Sequence, residues 1–432
     1  MNKFLAALVF FLLSNCSLDT KSGIWTQEKI EELKKDKVKI IFKDQKILNK
    51  EFNPELSIKI DTSNSLVKNF NNNSNNLGLS LFDENIKRSS KFKFKRIDDF
   101  NYFEPDLVSD GNSFVFFDDK SNLFKFDKNF NLIWKKNIYS KKEIKNKPFL
   151  SLVLHDNSLV VTDSLGSIFR LDYNSGEIIW KNKSQNPFNS QTKIYDNKVY
   201  AIDLNNIIRC YSLDDGNELW KLNSDNTFLK SDKRNSIAIK NGIIYFNNSI
   251  GDISAVVANN GSLLWQIPTQ NSQIYESAFS LKISDLVISD NNLFFSNNRN
   301  EIYSINLTNG ILNWKQSVNS STRPIIINNF IFSVSDEGYL FILDKDSGNI
   351  LKITDLFDVF KSKKKLNLSP VGFIVGKNNI ILTTNKGKLL IVDLNTGKTK
   401  SILKIDNQII SRPFVFDRKI LIVKDNAIVR LN

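Results

Sequence analysis

The hydrophobic pattern of residues 166–182, GSIFRLDYNSGEIIWKN, combines a short alternating strand with a tight polar turn. Alternate side chains of SIFRLD point to opposite faces, which predicts a half-buried strand. Asp172 can accept hydrogen bonds from the turn amides, and Gly176 supplies the positive φ angle that other residues resist. The chain then returns through IIWK. The segment is therefore predicted to be a β-hairpin with Trp180 on its second strand.

The same hairpin recurs along the chain at intervals of 38 to 49 residues. Its eight copies begin at Ser121, Gly166, Asn206, Gly251, Asn300, Gly338, Gly387 and Asn426. Ahead of each copy lies another predicted strand, such as DNSLVVT, and before that strand lie apolar runs such as FLSLVL, DLVIS, RPIII and RPFVF, which are typical of buried inner strands. The repeating unit is therefore predicted to contain four antiparallel strands.

Repeats of this length and strand count predict an all-β fold, an eight-bladed β-propeller of four-stranded antiparallel blades. Five copies place a tryptophan on the return strand, and Lys352 and Ser401 take this position in later copies. We interpret the five rings as core residues that fill the wedge between neighbouring blades. An alternative role, stacking on a quinone, requires one of them to lie in the central funnel. The five are Trp134, Trp180, Trp220, Trp265 and Trp314.

Closure of the ring requires a strand from outside the last repeat. The printed sequence ends at Asn432, on the third strand of the eighth copy. Residues 91–97, KFKFKRI, alternate basic and apolar side chains just before the first blade. We therefore expect them to pair with the last blade and to close the ring, so that the propeller domain comprises residues 91–432.

The first residues have the pattern of an export signal. A positive start is followed by the apolar run FLAALVFFLL, which is too short to span a bilayer, and then by LSNC. We predict a signal peptide over residues 1–15. LSNC resembles a lipobox, so Cys16 is the predicted lipidation site, and its acyl chains, palmitate among them, would anchor the mature protein. Residues 16–90 are predicted to be a tether with a short charged helix in TQEKIEELKKDK, strands in KVKIIF and LSIKID, and a polar spacer in VKNFNNNSNN.

Composition limits the other functional classes. The net charge is +13, but the lysines are dispersed over the chain, so we do not expect nucleic acid as a partner. The single histidine, His155, is expected to be a turn residue rather than a general base. With one histidine and one further cysteine, Cys210, the sequence offers neither a Cys/His metal cluster nor a Ser/His/Asp triad. We therefore predict no catalytic residues, no metal and no cofactor.

The repeat resembles the pyrroloquinoline-quinone type of propeller repeat, as GSIFRLDYNSGEIIW and GYLFILDKDSGNIL illustrate. Two families share this repeat, the quinoprotein alcohol and sugar dehydrogenases and the BamB-type outer-membrane assembly lipoproteins. The lipobox, the tether, the eight blades and the stretch GDISAVVANNGSLLWQ resemble the second family. This resemblance implies a non-enzymatic scaffold at the periplasmic face of the outer membrane. A quinoprotein dehydrogenase and a generic envelope scaffold are the alternatives.

The resemblance also implies a docking surface for the POTRA domains of the outer-membrane assembly barrel. In the family, an apolar and basic stretch ahead of the GDISAV-like blade and an acidic loop ahead of the next blade make this contact. The first maps to Phe228, Leu229 and Lys230. The second maps to residues 276–285, where Glu276 and Asp285 flank the loop and Lys282 departs from the acidic pattern.

Overall fold

The computed structural model describes residues 51–59, 75–77, 86, 89–94, 105, 107–118, 120–225, 231–269 and 280–431. The predicted signal peptide, Cys16, the helix in TQEKIEELKKDK and the strand in KVKIIF lie outside these ranges. Residues 56–59 of LSIKID lie outside any strand. No helix in the described part of the chain is both long enough and apolar enough to cross a membrane.

The described strands form eight sheets of four antiparallel strands each, which confirms the predicted eight-bladed propeller. The first strands of blades one to five contact their neighbours, so these strands bound the central channel. Blades one to four, each listed from its first strand outwards, comprise β2 (Val108–Ser109), β3 (Ser113–Phe117), β4 (Asn122–Asp127) and β5 (Leu132–Asn137); β6 (Leu150–His155), β7 (Ser158–Asp163), β8 (Ser167–Asp172) and β9 (Ile178–Lys183); β10 (Lys193–Tyr195), β11 (Lys198–Ile202), β12 (Ile207–Ser212) and β13 (Glu218–Asn223); β14 (Ile237–Lys240), β15 (Ile243–Asn247), β16 (Ile253–Val257) and β17 (Leu263–Ile267).

The remaining four blades follow the same order. They comprise β18 (Val287–Ser289), β19 (Asn292–Asn297), β20 (Glu301–Asn306) and β21 (Leu312–Gln316); β22 (Ile325–Ile327), β23 (Phe330–Val334), β24 (Tyr339–Asp344) and β25 (Ile350–Asp355); β26 (Pro370–Val375), β27 (Asn379–Thr384), β28 (Lys388–Asp393) and β29 (Thr399–Lys404); β30 (Phe414–Phe416), β31 (Lys419–Lys424), β32 (Ala427–Leu431) and, as fourth strand, β1 (Ser89–Lys93).

The closing strand of the eighth blade comes from the N-terminal side of the ring, as predicted. It is β1, however, so it begins two residues before the predicted range 91–97 and ends at Lys93. Lys91 pairs with Val429, and the alternation places Phe92 inwards while Lys91 and Lys93 remain exposed. The ring of Phe92 packs edge-on against that of Phe126 in blade one, with 4.6 Å between centroids. The strand therefore joins the last blade to the first.

The turn chemistry read from the sequence is present in the second blade. The backbone N–H of Ser175 donates to Oδ1 of Asp172 at 2.7 Å, and Gly176 has a φ angle of +72°. The expectation of half-buried strands was wrong for β8, because Ile168 and Phe169, on opposite faces, are both fully buried. Neighbouring blades cover both faces of a propeller sheet, which a single-strand pattern does not reveal.

Two basic insertions form single helical turns between blades. Helix α1 (Lys141–Ile144) lies between blades one and two, and helix α2 (Ser362–Lys365) lies between blades six and seven. The N-terminus of α1 is capped reciprocally, because Glu143 N–H donates to Ser140 Oγ and Ser140 N–H donates to the Glu143 carboxylate. These hydrogen bonds lower the pKa of Glu143 to about 2. Both insertions lie in loops between blades and do not interrupt the ring of blades.

Candidate functional site: the central channel and its mouth

The five repeat tryptophans lie on the fourth, outermost strands of blades one to five. The indole N–H of each donates to a backbone carbonyl of the next blade, at distances of 2.8 to 3.2 Å. In each case the ring also packs against the turn glycine of that next blade. These residues therefore hold neighbouring blades together, and none of them lies on the first strands that bound the channel.

Blade six has Lys352 at the position where blades one to five have tryptophan. Residues 51–58, which precede the propeller in the sequence, pack against this lysine. Lys352 is fully buried, and its Nζ donates to the carbonyl oxygens of Pro54 at 2.8 Å and Leu56 at 2.6 Å. Phe52 and Ile353 exchange backbone hydrogen bonds beside it. Burial, followed by repulsion from Lys398, lowers the pKa of Lys352. The ammonium group of Lys352 is thus stabilised in part by backbone carbonyl oxygens of residues 51–58. A tryptophan at this position would carry no charge and would not need these acceptors.

One repeat position gives the mouth of the channel its polar character. It lies two residues before the first strand of a blade, and we call it the mouth position. Among the described residues, five blades place a polar or charged residue there, namely Gln191, Asn235, Asp285, Arg323 and Arg412, while Asp106 of blade one lies outside the described ranges. Sequence reasoning missed this shared position, although RPIII and RPFVF both show an arginine ahead of a first strand.

Asp285 forms the negative centre of this mouth. Its Oδ2 accepts from Nε of Arg323 at 2.7 Å and also from Nη2 of the same guanidinium, while Nη1 of Arg412 lies 3.6 Å away. Burial raises the pKa of this carboxyl group, but Arg323, Arg412, Lys233 and Arg234 together outweigh burial and hold the pKa well below its usual range. Asp285 is therefore an anion at neutral pH that joins blades five, six and eight.

The channel behind the mouth contains residues from the N-terminal region. The side-chain amide of Asn76 donates to the carbonyl oxygens of Ile237 at 3.0 Å and Leu286 at 2.9 Å. Nζ of Lys193 donates to Oδ1 of Asn76 at 2.7 Å. Asn76 is 2% exposed. Part of the predicted polar spacer is therefore bound between blades three, four and five.

The predicted docking residues are only partly described. Phe228, Leu229, Lys230 and Glu276 lie outside the described residues. The described parts of the two loops are in contact, because the hydroxyl of Ser231, directly after Lys230, donates to the carbonyl oxygen of Leu281. Asp285 lies at the end of the second loop with a side chain that is 15% exposed. The bases of the two predicted loops thus lie next to each other at the mouth.

His155 and Cys210, the two remaining candidates for chemistry, lie in ordinary positions of the blades. His155 is the last residue of β6, directly before the turn at residues 156–157, and its Nε2 lies 3.6 Å from the exposed carboxylate of Asp156. Cys210 is fully buried in β12, and burial raises the pKa of its thiol to about 12. Within the described ranges, no three His, Cys, Asp or Glu side chains form a group that could hold a metal ion.

Comparison with known proteins gives consistent matches. A family model described as "Outer membrane protein assembly factor BamB" matches residues 119–354. The assembly factor BamB of Shewanella oneidensis is 21% identical over 271 residues, which is 62% of this chain and 66% of that protein. The BamB of Moranella endobia is 20% identical over 276 residues, which is 63% of this chain and 68% of that protein. These alignments cover about two thirds of the relatives' length.

Solved structures show the same architecture. The crystal structure of BamB from Moraxella catarrhalis superposes with a TM-score of 0.63 at 12% identity, covering 80% of this chain and 100% of the other. A quinohemoprotein alcohol dehydrogenase from Comamonas testosteroni superposes with a TM-score of 0.61 at 10% identity, covering 84% of this chain and 80% of the other. At these identities both similarities concern the fold alone, so they do not separate the two families.

Proposed function

Because the chain belongs to the BamB family of outer membrane protein assembly factors, we propose that it is a non-enzymatic scaffold of the outer-membrane β-barrel assembly machinery. The observation that carries the proposal is the family match over residues 119–354, which spans blades two to five, the last two strands of blade one and nearly all of blade six. In this role the propeller binds the periplasmic POTRA domains of the assembly barrel and aids insertion of outer-membrane proteins. Its place is the periplasmic face of the outer membrane.

The proposed anchor is a lipid on Cys16. The apolar run before LSNC and the polar sequence after it support cleavage before this cysteine and acylation of it. The variant Cys16→Ala should lose both lipid attachment and signal processing. Intact-mass measurement of the mature protein tests this, and a mature chain with a free Cys16 thiol would contradict the proposal.

The proposed docking surface consists of the two loops whose described bases meet at the mouth, with Phe228, Leu229, Lys230 and Glu276 as contact residues and Asp285 at the loop base. The contact between Ser231 and Leu281 supports it, because this contact brings the bases of the two loops together. Exposed apolar side chains beside charged ones are the usual composition of such surfaces.

A double variant tests this surface. We expect Phe228→Ala/Leu229→Ala to lose more than about 1 kcal/mol of binding per residue, about 30-fold in total, without a change in melting temperature. The matched control is Leu132→Ala/Ile133→Ala, an exposed apolar pair on β5. Binding to the purified POTRA domains is measured, together with co-purification after mild detergent extraction. Equal affinity of the wild type and the double variant would exclude this surface.

The alternative function, a quinoprotein dehydrogenase, would require the channel to bind a quinone. A quinone needs a stacking surface and an open lumen, whereas the repeat tryptophans lie on outermost strands and Asn76 is bound between blades three, four and five. These residues do not fit the cofactor. Titration of the protein with pyrroloquinoline quinone and calcium, followed by absorbance, tests the point directly. Stoichiometric tight binding would overturn the scaffold proposal.

A further inference from the structure

The side chain of Asn76, in the bound segment Asn75–Leu77, uses all of its hydrogen-bonding groups inside the channel. A carboxamide offers two N–H donors and one oxygen acceptor. The two donors of Asn76 meet the carbonyl oxygens of Ile237 and Leu286, and its oxygen meets the ammonium group of Lys193. Longer contacts run to Gln191 Oε1 at 3.3 Å and Ser236 Oγ at 3.4 Å. The site therefore matches the donors and the acceptor of an asparagine side chain.

The partners of Asn76 are themselves fixed by the blades. Gln191 Oε1 also accepts from the backbone N–H of Ile237 at 3.2 Å, and Ser236 Oγ accepts from the backbone N–H of Leu286 at 3.0 Å. Lys193 is buried on β10 and 2% exposed. Groups held in place before a ligand arrives lose little entropy when it binds. The polar lining is thus organised by strands of three different blades rather than by the segment itself.

The neighbours of Asn76 add backbone and apolar contacts. The carbonyl oxygen of Asn75 accepts from the backbone N–H of Ile288 on β18 at 2.9 Å. Leu77 packs against the apolar cluster that contains Val287 and Ile326. The segment is therefore held by a backbone hydrogen bond, an amide-specific polar site and an apolar contact, in three consecutive residues. Asn76 has a φ angle of +58°, so the segment turns at its central residue, in a conformation that asparagine adopts more readily than most residues.

We propose that the central channel is a binding site for a short segment with an asparagine side chain, and that Asn75–Leu77 of the same chain is its resident ligand. The site selects a carboxamide, because a carboxylate would place oxygen against the carbonyls of Ile237 and Leu286, and an aliphatic side chain would leave Lys193 without its acceptor in the segment. Binding in cis fixes residues 75–77 at the central channel of the propeller.

The test uses the full chain and follows hydrogen exchange by mass spectrometry in peptides that contain Ile288, whose amide is bonded to the segment. In Asn76→Leu, which keeps the branched shape of the side chain but loses all its hydrogen bonds and strains the positive-φ backbone, we expect exchange of this amide to become at least tenfold faster. The matched control, Asn72→Leu in the same asparagine-rich stretch, should exchange like the wild type. Thermal melting verifies that each ring remains folded, and Asn76→Ser serves as the smaller substitution if Asn76→Leu does not fold.

Addition of a peptide in trans then separates a binding site from an ordinary internal contact. The peptide NNNSNNLGLS, residues 71–80, is added to the Asn76→Leu protein at a few millimolar, the effective concentration that a short tether provides. We expect it to restore slow exchange at Ile288, whereas the same peptide with Asn76→Leu does not.

Unchanged exchange in the Asn76→Leu protein would overturn the proposal, and so would faster exchange that the wild-type peptide leaves unaltered. The readout needs no outer-membrane partner. Failure of this proposal is therefore distinguishable from failure of the scaffold function.

Discussion

Substitution of Gly216 by alanine tests how the blades are held together. Gly216 lies in the turn of blade three with a φ angle of +74°, and a Cβ atom placed there would lie 2.6 Å from Cε3 of Trp180 in blade two. The ring cannot simply withdraw, because its N–H is bonded to the carbonyl oxygen of Leu213 at 2.8 Å. The substitution therefore adds both backbone strain and a steric overlap at one blade interface.

The magnitude follows from these two contributions. A left-handed conformation costs a residue with a Cβ atom about 1–2 kcal/mol. Displacement of a well-packed ring costs a further 1–3 kcal/mol, approximately. Gly111 provides the matched control, because its φ angle is +88° and a Cβ atom there would meet nothing within 4 Å. We expect Gly111→Ala to show the first cost alone and Gly216→Ala to show both.

Thermal melting followed by circular dichroism measures the difference. At about 2 °C per kcal/mol for a domain of this size, Gly216→Ala should melt roughly 2–6 °C below Gly111→Ala. In a Trp180→Leu background the excess cost of Gly216→Ala should disappear, because the overlapping ring is gone. Equal melting temperatures of the two glycine variants, or an excess cost that persists without Trp180, would refute the steric argument.

Three further predictions concern individual side chains. Asp285→Asn should lower the melting temperature at pH 7 by the equivalent of about 3 kcal/mol, because it removes the negative charge that Arg323 contacts at the mouth. The folded pKa of Asp285 is lowered, so its stabilisation is complete above the unfolded carboxyl pKa near 4. The difference in melting temperature between variant and wild type should therefore narrow as the pH falls below that value. Cys210, tested in a Cys16→Ala background, should react with a thiol reagent at pH 8 only after unfolding, because burial raises its pKa to about 12; labelling of the folded protein would contradict this. Lys352→Met should speed hydrogen exchange at Ile353, whose amide is bonded to Phe52, relative to a Lys400→Met control.

Features that repeat along the chain were predictable from the sequence. The turn glycines, the aspartates that cap the turns and the five tryptophans recur at one place in the repeat, so each copy supports the interpretation of the others. The existence of the closing strand was predictable, but its first and last residues were not. The alternation in KFKFK shows which side chains face inwards, but it does not show which residues of the last blade they pair with. Phe92 does face inwards, and the bounds of β1 follow from its pairing with β32, in which Ser89 lies opposite Leu431.

Features that occur once were not predictable. Asn76 lies in a stretch of asparagines that is typical of a spacer, and its partners come from three blades more than a hundred residues away. Lys352 was recognised as a departure from tryptophan, yet nothing in its surroundings indicates that residues 51–58 would supply the missing acceptors. Asp285 was expected to flank a docking loop, and its pairing with Arg323 depends on the placement of two blades side by side.

The pairing of β1 with β32 determines the order in which the molecule can assemble. Ser90 and Arg430 lie 340 positions apart along the chain, and closure of such a loop costs about 5 kcal/mol of chain entropy, against about 2 kcal/mol for a loop of ten residues. Local hairpins can therefore form early, whereas the seam between the eighth blade and the first forms late. A strand translated near the beginning of the chain has to remain unpaired until the final strand has been translated. Until the ring closes, the open seam exposes a strand edge, and that edge is the place where a folding helper or a second copy would compete with β1.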